Sequence, residues 1–335
     1  MQDHQTSRRA LLANSIALAA LATLGGLGAS RSAAAQGTGA LRLLCTAPGG
    51  SIPDIVARRY AEHLAGRRNG GVVVDNRPGA AGRIAVGALK QADADGNTLL
   101  LAQGAVATVY PYLYEKLAYD AVNDLKPVSL AAEATLGLAV GPSVPESVRN
   151  LREFIDWMRT HPAQANYGSP GAGTLPHLLG ALLAHEVKAG WQHVAYAGGP
   201  QALVDLMGGR LTMLILPEGL LRQHHAAGKL RVLATSGRTR SEFMPGIPTF
   251  VEQGHAGLII REWFAFFAPG ATPQAVVDAA AVQVGQAAVS LASSGVLRDI
   301  GMLAVASTPA RMSETIALEQ RYWQSVLGFT GIRAE

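Results

Sequence analysis

Residues 166–180 read Asn-Tyr-Gly-Ser-Pro-Gly-Ala-Gly-Thr-Leu-Pro-His-Leu-Leu-Gly. Asn166 and Tyr167 read as the end of a strand. Three glycines, a serine and a proline within 168–173 then force a tight loop. Thr174 follows as a hydroxyl cap, Pro176 stands in a first turn, and Leu178, Leu179, Leu182 and Leu183 recur at helical spacing. A glycine-rich loop that opens a helix offers free backbone N–H groups and the positive end of the helix dipole. That is an anion site with main-chain donors. Ser169, Gly171, Ala172, Gly173 and Thr174 are its candidate contacts, with His177 as a neutral donor nearby. A plain strand-to-helix turn is the alternative for this stretch alone.

A second unit of the same kind lies upstream. Leu41–Thr46 reads as a strand, Pro48-Gly49-Gly50-Ser51 as its turn, and Ile55, Val56, Tyr60, Leu64 and Ala65 as the stripe of a helix. Gly49, Gly50 and Ser51 are candidate contacts. Asp54 is a helix cap or first-turn acid, or it lines a ligand directly or through water. Val72–Val74 is a short strand, Asp75–Gly79 a polar turn, and Ala80–Ala85 the opening of another helix. The strand Thr98–Ala102 ends at Gln103-Gly104, and the carboxyl ends of parallel strands face the ligand crevice in open α/β sheets. Gln103 is therefore a further candidate.

Strand and helix alternate to the C-terminus. Lys126–Leu130 and Leu136–Val140 read as two strands, the second ending at Gly141-Pro142, a first crossing between lobes. Val148–Thr160 is an amphipathic helix. His193–Tyr196 is a strand that ends at Ala197-Gly198-Gly199-Pro200, and Tyr196 offers its hydroxyl to a ligand or to a backbone partner. Leu211–Leu216 and Leu230–Thr235 are strands around a helix over 218–227. The aromatic strand Trp263–Pro269 crosses back to the first lobe. Helices over 274–290 and from Pro309 through Leu327 close the chain. Such alternation with short glycine turns means parallel sheets.

Residues 1–36 read as an export signal: Arg8-Arg9, an apolar run to Leu27, then Ala33-Ala34-Ala35 as a small-residue cleavage pattern. The paired arginines resemble a twin-arginine signal; the ordinary secretory route and an uncleaved tether are the alternatives. The rest of the 335-residue chain is too long for one compact core and suits two lobes. Without Arg8, Arg9, Arg31 and Asp3 the net charge falls from +4 to +2, which argues neither for nucleic acid nor for an anionic membrane surface as partner, and no nucleic-acid partner is expected. The single cysteine, Cys45, sits in an apolar run and reads as a buried thiol. No Walker lysine follows Gly173, no dinucleotide-loop spacing and no Gly-x-Ser-x-Gly elbow occur, and neither His185-Glu186 nor His224-His225 makes a metal chelate. A hydrolase built on Ser169 and His177 lacks an evident orienting acid. No cofactor, metal or catalytic residue is expected.

With these residues placed, the chain resembles the Bug family, the extracytoplasmic solute receptors of tripartite tricarboxylate transporters. The resemblance rests on Pro48-Gly49-Gly50 with Asp54–Arg58, Val74–Gly82, Asp95–Leu100, Pro127–Leu130, Asn166–Ser169, Pro200–Leu203, Gly228–Arg231, Ile247–Thr249 and Ala268–Pro273, in this order. It implies a type II periplasmic-binding-protein fold of two α/β lobes, a central cleft and two crossing strands. Lobe 1 would be 37–140 with 263–335, and lobe 2 would be 141–262. It also implies that backbone amides of the loops Pro48–Ser51 and Ser169–Thr174 grip a small carboxylate ligand. A monomeric periplasmic receptor would then pass that ligand to membrane permease subunits. A sensor-type receptor without a permease is the alternative. The chain departs from the family pattern in having three residues between Gly50 and Asp54, Ala197 in place of a common lysine, and Thr212 in place of a frequent aspartate.

Overall fold

The computed structural model describes residues 39–68 and 70–334. The expected export signal lies outside the described residues. The chain runs β1 (Leu41–Cys45), α1 (Ile52–Ala65), β2 (Val72–Asn76), α2 (Arg83–Lys90) and β3 (Thr98–Gln103). Two one-turn helices, α3 (Ala105–Thr108) and α4 (Tyr110–Leu113), lead to the long β4 (Leu125–Val140). Next come α5 (Leu151–Thr160), β5 (Asn166–Ser169), α6 (Leu175–Glu186), β6 (Gln192–Ala195) and α7 (Gly199–Met207). The remainder is β7 (Met213–Pro217), α8 (Glu218–Ala226), β8 (Arg231–Thr235), β9 (Arg261–Pro269), α9 (Gln274–Ser294), β10 (Leu303–Ala304) and α10 (Pro309–Thr330).

The strands lie in the order β2-β1-β3-β9-β4-β7-β5-β6, with β8 and β10 also on β4. Two parallel groups, β2-β1-β3 and β7-β5-β6, are joined through the antiparallel β4 and β9. β4 pairs β9 over Leu125–Thr135, then β7 over Leu136–Val140 and β8 over Gly137–Val140, so one strand belongs to both groups. The two strands expected at 126–130 and 136–140 are thus one. Ala131–Thr135 carries no apolar alternation, which hid the continuity. Register shifts at Pro127/Ser129 and Leu130/Ala132 absorb a proline that a regular ladder would exclude.

Each sheet face is covered, as near-continuous apolar strands require. On one face Leu43, Leu101 and Phe266 pack on Val56 and Tyr60 of α1 and Val284 and Leu291 of α9. On the other, Leu44, Leu100 and Phe267 pack on Val86 and Leu89 of α2 and Ile316 and Trp323 of α10. This second core continues through Leu138, Leu178 and Met213 into the other strand group. Each fully buried leucine or phenylalanine contributes roughly 1.5–3 kcal/mol. Gly104 after β3 is required by this packing: a Cβ there would stand 2.2 Å from the Trp263 indole. Cys45 is fully buried, and burial raises its thiol to about 11, which keeps it inert. Helix α5 starts three residues later than its apolar pattern suggested. Asn150 accepts from the Glu153 N–H while Glu153 accepts from the Arg149 N–H, a capping box readable in the sequence as Asn-x-x-Glu.

Candidate functional site

The turns that follow the parallel strands converge on one cavity of about 220 Å³. Thr46, Ala47 and Ser51 reach it from β1, Gly79–Gly82 from β2, Gln103 from β3, Pro170 and Thr174 from β5, and Tyr196–Gly199 from β6. Ile52, Leu216, Leu220 and Phe264 make apolar walls. Among the described residues no lysine, arginine or histidine lines it. Loops from the two strand groups approach each other closely. A Cβ at Gly171 would meet Ala81 at 3.5 Å, one at Gly198 would meet Pro48 at 3.2 Å, and the Tyr114 hydroxyl donates to the Ala172 carbonyl at 2.8 Å.

Three helices begin at this cavity: α1 behind Ser51, α6 behind Thr174 and α7 behind Gly198. None has a side-chain cap, and each carries a proline in its first two positions, Pro53, Pro176 and Pro200. Away from the cavity, α5 and α10 are capped by the side chains of Asn150 and Thr308. Uncapped first-turn N–H groups carry the partial positive charge of the helix end. Three of them around a cavity without basic side chains make it receptive to an anion.

Of the residues expected from sequence, Ser51, Gln103, Thr174 and Tyr196 line the cavity. Gly49, Gly50, Gly171, Ala172 and Gly173 form the loops behind that lining, with Ser169 at the end of β5 and Asp54 and His177 in the first turns of α1 and α6. Their bonding shows what they do. Asp54 is buried and accepts from the Gly50 N–H at 2.9 Å, Asn76 Nδ2 at 2.9 Å and Arg58 Nε at 3.0 Å. Burial pushes its carboxyl up, but the bonds from Arg58, Gly50 and Asn76 prevail and hold it below the ordinary range. Ser169 is fully buried; its Oγ accepts from the Gly171 N–H and stands 2.8 Å from His193 Nε2. Its histidine neighbour is therefore His193 and not His177, as the imagined hydrolase pair required. His177 Nδ1 accepts from the Gly173 N–H at 3.0 Å. Burial lowers His177 to about 4, and burial together with His177 lowers His193 to about 3, so both rings are neutral.

The hydroxyls are committed as well. Ser51 donates to the Pro48 carbonyl, Thr174 to the Gly171 carbonyl, Tyr196 to Asp205 Oδ2, and Thr46 to Gln103 Oε1. Thr174 thus bonds its own loop instead of capping the helix. Among the described residues, no acceptor meets the N–H groups of Gly49, Ala172, Ala197 or Gly198. The third loop, Ala197–Gly198, was read in the sequence only as a strand end, although its paired glycines before Pro200 repeat the pattern of the other two.

A fourth feature carries no glycine signal. Ala80 and Ala81 adopt left-handed backbone, φ 46° and 52°, at a cost of about 1–2 kcal/mol each. The Ala81 carbonyl accepts from Gln103 Nε2 at 2.7 Å and from the Tyr110 hydroxyl at 2.8 Å, which holds the turn in place. Gln103 is thereby a positioning residue on the cavity wall. Glu262 also lines the cavity, and a buried carboxyl of this kind has no sequence signature.

Fold and site define an α/β periplasmic-binding-protein architecture whose cleft is built from helix N-termini. Residues 56–329 match the family described as the tripartite tricarboxylate transporter family receptor, and the chain belongs to that family. The protein BugT of Bordetella pertussis is 31% identical over 85% of this chain and 87% of its own length. The R. palustris protein Rpa4515, solved with adipate, is 28% identical, covers 89% of this chain and 99% of its own, and superposes with a TM-score of 0.82. The periplasmic binding protein BugD, 22% identical with a TM-score of 0.82, covers 88% of this chain and 99% of its own and shares the fold.

Proposed function

We propose that the protein is an exported receptor that captures a small organic acid in this cleft and delivers it to a membrane permease, without chemical turnover. The observation that carries the reading is the convergence of three uncapped helix N-termini on a cavity that, among the described residues, has no basic side chain. A buried carboxylate is costly unless its lone pairs are met, and here the donors on offer are main-chain N–H groups fixed by their loops. Membership of the receptor family and the adipate found with the R. palustris relative support a carboxylate ligand. Ser169 is fully buried, and among the described residues no carboxylate bonds His193, which speaks against hydrolysis. The loops belong to both strand groups, so a bound anion would bridge the two parts, here taken as lobes 37–140 with 263–335 and 141–262. Closure is then favoured only when both grip the ligand. The mature chain from residue 37 is to be screened by thermal shift against mono-, di- and tricarboxylates. A ligand at a hundred times its dissociation constant adds about 2.7 kcal/mol of stability. A flat response across the panel, from folded protein, overturns the reading.

A further inference from the structure

We propose that Glu262 is a specificity residue of the cleft and accepts the amino group of an amino-substituted organic acid. The proposal rests on the carboxylate-receptor reading and adds a second recognition element to it. Glu262 stands on β9 two residues before Phe264, and both line the cavity. It is only 4% exposed, and its Oε1 is sealed from solvent with no hydrogen-bond partner among the described residues. The titratable groups nearest in influence are Glu319 on α10 and Tyr110 on α4. Neither supplies a donor to it: Glu319 accepts from Trp263 Nε1 at 2.8 Å, and the Tyr110 hydroxyl donates to the Ala81 carbonyl. Burial, and then the charge of Glu319, raise Glu262 to about 8.

An unpartnered buried acceptor on a residue of the cavity wall is an expensive feature for a protein to leave unmet. It is met when the ligand brings the donor. Among the described residues, Glu262 and Tyr196 are the titratable side chains on the cavity wall, and no base accompanies them. A ligand with one carboxylate and one ammonium group fits that arrangement. The carboxylate takes the helix N-termini and the ammonium ionises and pairs Glu262, so the closed cleft holds balanced charge. A dicarboxylate brings no ammonium to draw the proton from Glu262, and among the described residues its second carboxylate meets no basic side chain on this wall.

The test is isothermal titration of wild type and Glu262→Gln with matched probes: propionate, butyrate, pentanoate and hexanoate, each against its α-amino and ω-amino counterpart. In wild type at least one amino member binds about 10–100-fold tighter than its parent, the worth of a charge-assisted hydrogen bond. In Glu262→Gln that ratio falls towards one. A second readout needs no variant: in buffers of differing ionisation enthalpy at neutral pH, the amino acid releases about one proton from wild type on binding, and the parent acid releases none. Parents that bind as tightly as their amino counterparts, a preference that survives in Glu262→Gln, or binding without proton release overturns this proposal and leaves the carboxylate reading standing. Failure of every acid to bind removes both.

Discussion

Replacing Glu262 with glutamine should stabilise the ligand-free protein, by an amount that grows as pH rises. Glu262 titrates near 4.5 in an unfolded chain and at about 8 in the fold, where burial is the first cause and the charge of Glu319 the second. A carboxyl whose folded value is raised gives stability that is complete below the unfolded value and is lost as pH rises through the folded one. The window is therefore from about 4.5 to about 8. The gap of roughly 3.5 units, at about 1.36 kcal/mol each, sets a ceiling on the order of 5 kcal/mol. Glutamine keeps the shape and never ionises, so the variant escapes this loss. The acid side has a separate origin. Burial, joined in His193 by the charge of His177, depresses the two rings from 6.5 to about 4 and about 3. Their contribution is full above 6.5 and is lost as pH falls through those values. That limb is common to both proteins and cancels in their difference. Urea denaturation of both proteins at several pH values between 4.5 and 8.5 reads the difference directly. It should be small at the acid end and climb steadily to a plateau above pH 8. A difference that stays flat across this range would refute the burial argument for Glu262.

Three further outcomes follow from the same geometry. Gly171→Asp should weaken binding of the best carboxylate by about a hundredfold, since a like charge about 5 Å away costs roughly 3 kcal/mol at an effective dielectric of 20. Gly171→Ala is its control, because it shares the backbone strain of a side chain at φ 159° and its Cβ has ordinary contact with Ala81 at 3.5 Å, but it adds no charge; equal losses in titration calorimetry would remove charge as the cause. Ser169→Ala should cost about 1–3 kcal/mol in denaturant unfolding by leaving the buried Gly171 N–H and His193 without their partner; unchanged stability would show that the loop does not depend on that pin. Gly104→Ala should cost about 1–3 kcal/mol or more, because its Cβ overlaps the Trp263 ring at 2.2 Å and Trp263 is buried and bonded to Glu319; a midpoint within error of wild type would contradict the packing.

What the sequence disclosed and what it concealed divide along one physical line. Glycine turns, proline starts and apolar stripes are local, and they placed the loops at 48–51 and 168–174 and most elements to within a few residues. The direction of a hydrogen bond is not local. Thr174 has the residue type of a helix cap, yet its hydroxyl bonds the Gly171 carbonyl. The Nδ1 of His177 takes the Gly173 N–H, a bond that its place in the sequence does not announce. The left-handed Ala80-Ala81 turn depends on Gln103 and Tyr110, which arrive from more than twenty residues away. Glu262 stands near the start of the aromatic strand β9, and only the assembled sheet shows that its carboxyl is buried on the cavity wall.

These commitments decide where ligand selectivity can reside. Main-chain donors are the same whatever side chains surround them, so three helix ends can accept a carboxylate but cannot tell one acid from another. The hydroxyls of Thr46, Ser51, Thr174 and Tyr196 donate within the protein and add no discrimination of their own as donors. Choice among acids must then come from the walls, through the shape set by Phe264, Leu216 and Leu220 and the one polar demand made by Glu262. A swap confined to those wall residues should exchange ligand preference while the grip on the carboxylate persists. A swap of the glycine loops should weaken every acid alike. Should wall exchanges instead scale the affinity of all acids by one factor, the division between grip and choice would be wrong.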